Sequence, residues 1–343
     1  MPDTIRIGQL ESKPGEKKTG FLKVGETPSG SLQMPVVIIN GRKDGPTMCL
    51  TAGTHPCEYQ GIAAVIRVCK ETKPDDLSGA VIGVPVLSMA GFASRTPYVN
   101  PIDNINVSRA FPGRPDGTLS ERIMHVLVND IVKQSDFRID CHGGDYDERL
   151  SPNTYFSKIG DKKHDETAEI LARIYGFRYV IERPAASIFT TTTVAPSIVA
   201  ECGGIKTLLE SDIAQHVEGI RNAMKFFKMT EGRPRIRVKQ LFVKDFCYVK
   251  AEKGGLFYSM VDIDDEVKKE QKIGEIWDLW GNVVETLHSP EDGVVRKMST
   301  NHATNSGETL IQIMNSPKPL SPFSPTDPFI DIDEYDQVSR API

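Results

Sequence analysis

The sequence predicts an α/β fold: a mixed sheet with helices on both faces, followed by a smaller all-β, barrel-like module. Three observations carry this expectation. Short apolar runs alternate with segments of helical periodicity over the first two thirds of the chain, the pattern of a sheet covered by crossover helices. The helical periodicity stops near Thr230-Glu231-Gly232-Arg233-Pro234, and short strands with Gly and Asp turns take over. At 343 residues the chain can fill two cores. The expected organisation is a catalytic domain over 1–230, an all-β module over 231–315 and an extended, Pro- and Asp-rich tail over 316–343.

The elements follow in order. Met34-Pro35-Val36-Val37-Ile38-Ile39-Asn40 and Thr47-Met48-Cys49-Leu50-Thr51-Ala52 read as strands, split by the turn Gly41-Arg42-Lys43-Asp44-Gly45-Pro46. From 58 to 72, Ile62, Val65, Ile66 and Cys69 fall at helical spacing, and Pro74 stops the run. Ala80-Val81-Ile82-Gly83-Val84-Pro85-Val86 is the next strand. A Pro- and Asn-rich loop over about 87–117 is long enough to suggest a working surface. Thr118 with Glu121 makes a capping box for a helix whose stripe is Ile123, Met124, Leu127, Ile131 and Val132. Phe137-Arg138-Ile139-Asp140-Cys141 is a strand that delivers His142. Helices are expected over 165–175 and 213–227, with strands at 179–181 and 197–201. Beyond 230, strands are expected around 254–261, 271–276, 282–287 and 292–296.

Composition excludes several functions. The 41 basic and 46 acidic residues give a net charge of −5 without a dense basic block, so nucleic acid is not an expected partner. The most basic run, Arg233-Pro234-Arg235-Ile236-Arg237-Val238-Lys239, alternates as an edge strand or linker would. No stretch has the length of a membrane span, and Met1-Pro2-Asp3-Thr4-Ile5-Arg6 is not the start of a secretory leader. A cytoplasmic location is therefore the expectation. Six scattered cysteines without a C-x-x-C pair read as buried small apolar residues. Nothing in the chain decides whether it forms a homo-oligomer.

The chemistry concentrates in two segments. Gly53-Thr54-His55-Pro56-Cys57-Glu58 and Asp140-Cys141-His142-Gly143-Gly144 supply two imidazoles and a carboxylate. Three such N/O ligands leave a divalent zinc one open position, the hydrolytic arrangement, whereas structural zinc is closed by four ligands. His55, His142 and Glu201 each end an apolar strand, and ligands gather at the carboxyl ends of strands in such sheets.

These motifs resemble those of the succinylglutamate desuccinylase/aspartoacylase family, a branch of the zinc carboxypeptidase-like hydrolases, over about residues 38–313. The family's Gly-x-His-Gly-x-Glu is matched by Gly53 to Glu58 except at Pro56. Its Asp-x-His-x-Gly is matched at Asp140 to Gly144, and its strand-ending glutamate before glycine at Glu201-Cys202-Gly203. Its loop ending Asn-Arg-x-Phe-Pro-Gly corresponds to Asn106-Val107-Ser108-Arg109-Ala110-Phe111-Pro112-Gly113. Gly254-Gly255-Leu256-Phe257 and Ser289-Pro290-Glu291-Asp292-Gly293-Val294 look like its β module, here expected to cover the catalytic mouth.

The resemblance implies a zinc-carboxypeptidase-like fold and one Zn2+ per chain, held by His55, Glu58 and His142. It implies Glu201 as general base and Arg109 as a substrate and oxyanion ligand, with Ser108, Asn106 and Arg95 on the substrate side. Asp140 either orients a histidine ligand or caps the following turn. Ser108 stands where the family has asparagine. The threonine run at 190–193 stands where the N-acyl-aspartate enzymes carry an arginine. A hydroxyl-lined pocket there suits a neutral or cationic group, such as an N-acetylated diamino acid, though the same threonines equally suit strand packing. The expected activity is hydrolysis of the amide in a small N-acylated amino acid. The alternatives are a metallocarboxypeptidase on short peptides and a non-catalytic zinc-binding interaction protein.

Overall fold

The computed structural model describes residues 3–184, 193–237, 239–321 and 331–333. Ten strands form one mixed sheet in the order Lys318–Pro319, Leu241–Val243, Tyr179–Glu182, Asn153–Phe156, Ser197–Glu201, Phe137–His142, Lys43–Ala52, Ser78–Val84, Gly30–Asn40 and Lys17–Thr27. Lys43–Ala52, Phe137–His142 and Ser197–Glu201 are adjacent and parallel at its centre. Every residue of Phe137–His142 is buried, as a strand covered on both faces must be.

Helices pack on both faces, as their apolar stripes require. Tyr59–Glu71, Lys162–Ile174 and Glu210–Phe226 cover one side through Ile62, Val65, Leu171, Val217 and Ile220. Leu119–Val126 covers the other through Ile123 and Met124. Its capping box is present, with Thr118 accepting from the Glu121 amide and Glu121 from the Thr118 amide. The helix widens into a π-turn over Leu127–Ile131. The edge hairpin Lys17–Thr27 and Gly30–Asn40 extends well beyond the single strand expected from 34. The basic run contributes Arg235–Arg237, paired in parallel with Asp331–Asp333.

The C-terminal region departs from expectation in one respect. Among the described residues, its strands do not close into a barrel. They divide into a five-stranded sheet built on Phe246–Lys250, Thr309–Asn315, Gly293–Ser299 and Glu266–Val267, and a four-stranded sheet of Val283–His288, Lys272–Trp277, Gly255–Ser259 and Ala303–Thr304. Each sheet has one apolar face, and Phe257, Ile273 and Ile276 meet Val295, Ile311 and Ile313 in a shared core. Face-to-face packing buries that surface without hydrogen-bonded closure. The fifth strand of the larger sheet is Glu148–Leu150, from between the central strands, paired with Gly293–Ser299. No helix among the described residues is long and apolar enough to cross a membrane.

Candidate active site

Three central strands end side by side, and their ends carry the proposed chemistry. Gly53 turns the chain out of Lys43–Ala52 at φ 64°, with Val86 Cα 3.0 Å from where a Cβ would lie. That left-handed, crowded position suits glycine. His55 follows, and Glu58 immediately precedes the helix Tyr59–Glu71. Gly61 lets that helix lie directly on the neighbouring strand: a Cβ there would come within 2.7 Å of the Cys141 carbonyl oxygen. Glu58 is thereby set against His142, whose strand position pairs with Glu201.

The donor atoms of His55, Glu58 and His142 lie within 4.8 Å of one another, and all three residues are buried. His55 Nδ1 is 2.8 Å from Glu58 Oε1, and His142 Nδ1 is 2.8 Å from Glu58 Oε2. Tetrahedral ligands of zinc stand roughly 3.3 Å apart given the usual bond lengths, so this convergence fits a single ion. Burial disfavours the Glu58 anion, yet His142 and His55 hold its carboxyl down at about 2.

Asp140 is engaged by three buried side chains. His142 Nε2 donates to its Oδ2 at 3.1 Å, Thr51 donates to its Oδ1 at 2.6 Å, and Arg138 Nη2 lies 2.7 Å from Oδ2. A proton fixed on Nε2 leaves the Nδ1 lone pair for a ligand. Burial works against the Asp140 anion as well, but Arg138 and His142 keep its carboxyl well below the usual range.

Glu201 sits at the end of its strand beside this cluster. Burial raises its carboxyl above the ordinary value, against the opposing charges of Arg296 and His142. Arg296 Nη2 donates to Glu201 Oε2 at 2.5 Å, and Asn153 Nδ2 approaches the same oxygen at 3.5 Å.

The substrate-side residues are more dispersed. Asn106 caps the short 3-10 turn Val107–Arg109, accepting from the Ser108 amide at 2.9 Å and the Ser108 hydroxyl at 2.7 Å. Asn106 Nδ2 is buried without a hydrogen-bond partner among the described residues. Arg109 is exposed and acts electrostatically on Tyr98, whose phenol is pushed up by burial and Asp145 against the Arg109 charge. Arg95 is an exposed left-handed helix cap at φ 58°, and among the described residues no hydrogen bond or ion pair joins it to the cluster. The threonine run lies outside the described residues except for Thr193.

Sequence reasoning missed three neighbours. Tyr98 stacks on His55 at 4.5 Å between ring centres. Asp145 Oδ1 stands 3.9 Å from His55 Nδ1, and burial with the Glu58 charge pushes its carboxyl up to about 8. Arg296 arrives from a strand almost a hundred positions later. Asp145 directly follows the Asp140–Gly144 motif and Tyr98 lies in the Pro- and Asn-rich loop, so both were within reach of a local reading. Arg296 was not, because its strand carries no signal of what it faces.

The sequence profile of the succinylglutamate desuccinylase/aspartoacylase catalytic domain matches residues 44–227. The chain belongs to the succinylglutamate desuccinylase/aspartoacylase family. A relative within reach of it, the N-alpha-acetyl-L-2,4-diaminobutyric acid deacetylase of Halomonas elongata, is 29% identical over 86% of this chain and 90% of its own length. Among solved structures, the product-bound ectoine utilization protein EutE (DoeB) of Ruegeria pomeroyi superposes with a TM-score of 0.83 at 24% identity, covering 92% of this chain and 99% of that one. A succinylglutamate desuccinylase/aspartoacylase from Rhodobacter sphaeroides gives 0.80 at 24% identity over 87% and 95%. These likenesses extend the family's mixed α/β fold across nearly the whole chain.

Proposed function

We propose that this member of the family is a zinc-dependent deacylase that hydrolyses the amide of a small N-acylated amino acid, most closely an N-acetylated diamino acid. The observation that carries the reading is the convergence of His55, Glu58 and His142 at strand ends with Glu201 alongside. The deacetylase relative supports the substrate class.

His55, Glu58 and His142 would hold the zinc, with Asp140 fixing the His142 tautomer. Bound there, a zinc ion would supply Lewis-acid chemistry for the scissile carbonyl and the attacking water. Glu201 takes the proton of the attacking water and returns it to the departing amine nitrogen. Its raised carboxyl brings it nearer the working pH of a base. Arg109, exposed and close enough to act on Tyr98 electrostatically, is the group to meet a carboxylate or the developing oxyanion, and the Asn106–Ser108 pair offers amide and hydroxyl groups to the substrate. Arg95 serves only a more distant part of it. The reading takes residues 1–230 as the catalytic unit and 231–315 as the module that covers the site; of the expected tail, Lys318–Pro319 pairs with Leu241–Val243 in the main sheet.

The test is purified enzyme on N-α-acetyl-2,4-diaminobutyrate, N-acetylaspartate and dipeptides, before and after chelation. Activity should be lost on chelation, return with zinc, and be greatest on the diamino acid. E201Q should retain zinc and lose on the order of 10²- to 10⁴-fold in kcat. The wild-type rate should fall as pH drops through the raised Glu201 value, because the base must be ionised. Full turnover by zinc-loaded E201Q rejects the base, and preference for dipeptides turns the reading to a carboxypeptidase.

A further inference from the structure

We infer that Arg296, supplied by the C-terminal module, is a positioning residue that holds Glu201 in its working orientation. The inference rests on Glu201 being the base, and it concerns how that base is aimed.

Arg296 lies on Gly293–Ser299 and is only 2% exposed. A buried guanidinium is costly unless its donors are satisfied, and here each nitrogen has a partner. Nε donates to Asn153 Oδ1 at 2.9 Å, Nη1 to Gln312 Oε1 at 2.6 Å and Nη2 to Glu201 Oε2 at 2.5 Å. The guanidinium carbon lies 5.2 Å from the centre of the Tyr155 ring. With all three nitrogens engaged in the protein, Arg296 is placed as a holder rather than as a substrate ligand.

The consequence falls on the two oxygens of Glu201. Oε2 receives Arg296 and, at longer range, Asn153. Among the described residues no hydrogen bond engages Oε1. One oxygen is thus anchored and the other left for proton transfer, a division that a freely rotating carboxylate lacks. Asn153 links the two anchors, since it accepts from Arg296 while approaching Glu201. The fork geometry matters: three separate acceptors, one for each nitrogen, suit guanidinium and not the single point of an ammonium.

The geometry also gives the C-terminal module a part in catalysis. Gly293–Ser299 is paired with Glu148–Leu150, which follows the His142 motif. The strand bearing Arg296 is therefore registered against the catalytic unit by backbone hydrogen bonds, which sets where the guanidinium stands.

The test compares wild type, E201Q, R296M, R296K and the double variant R296M/E201Q in the full chain, with N-α-acetyl-2,4-diaminobutyrate as substrate and zinc content measured throughout. R296M should lose on the order of 10²-fold in kcat while KM and bound zinc stay within about twofold. R296K, with charge but no fork, should recover part of the loss. In the E201Q background the same R296M change should cost no more than about threefold, because an aim without a base has nothing to lose. Equal losses in both backgrounds, or wild-type kcat in R296M, overturn the inference. The double variant leaves no unpaired buried carboxylate, and R296K carries the comparison if R296M does not fold. Full turnover by E201Q alone removes the base itself. A slow E201Q with independent, multiplying losses removes only the role of Arg296.

Discussion

Asp140 carries more of the site than its place between two named motifs suggests. Its carboxylate accepts from Thr51 and His142 and pairs with Arg138, all buried. Its charge stabilises the proton on His142 Nε2 and so keeps Nδ1 available. Asp140→Asn should therefore lower zinc affinity by roughly 10- to 100-fold, read by competition with a chromogenic chelator. An unchanged affinity removes Asp140 as the orienting group. Residue types and spacing made His55, Glu58, His142 and Glu201 legible in the sequence. The choice between orienting group and turn cap at Asp140 was not, because both roles ask for the same short carboxylate.

The helix Tyr59–Glu71 is positioned by what it lacks. Gly61 faces the Cys141 backbone, with the carbonyl oxygen at 2.7 Å and the carbonyl carbon at 2.9 Å from a hypothetical Cβ. Backbone at the centre of a sheet has nowhere to move. Gly61→Ala should destabilise the fold by about 1–3 kcal/mol, despite alanine's better helix propensity, and should weaken zinc binding by shifting Glu58 from His142. Urea midpoints and the same chelator competition measure both, and a stabilised variant would contradict the close approach. Helical periodicity located this helix to within a residue or so at each end. It placed the starts of Lys162–Ile174 and Glu210–Phe226 three residues late, because their first turns are polar. The hairpin strand Lys17–Thr27 escaped because its exposed edge lacks a continuous apolar run.

Across the whole molecule, the α/β part and the C-terminal strands share buried polar contacts as well as a paired strand. Asp264 Oδ1 accepts from Tyr179 Oη and Ser151 Oγ, each at 2.8 Å, and both donors belong to fully buried residues. Asp264→Ala strands two buried hydroxyls, at about 1–3 kcal/mol each, and adds strain at φ 69°. Asp264→Asn keeps an acceptor and tolerates the left-handed backbone, so it should retain most of the stability. Denaturation midpoints separate the two; equal midpoints for both variants and wild type would show that the contact contributes nothing.

The amino-acid sequence by itself determined the mixed sheet, the helices on its two faces, the change to β structure after 230, and the ligand-type residues at strand ends. Each is a local property, set by periodicity, turn residues or a motif a few positions long. Only the tertiary structure decided that the C-terminal strands form two open sheets, that Tyr98 stacks on His55, and that Arg296 meets Glu201. A guanidinium buried beside a carboxylate depends on contacts across 95 positions. Pairing at that distance is fixed by sheet register and by the cost of leaving either charge alone, and neither is written in the residues nearby.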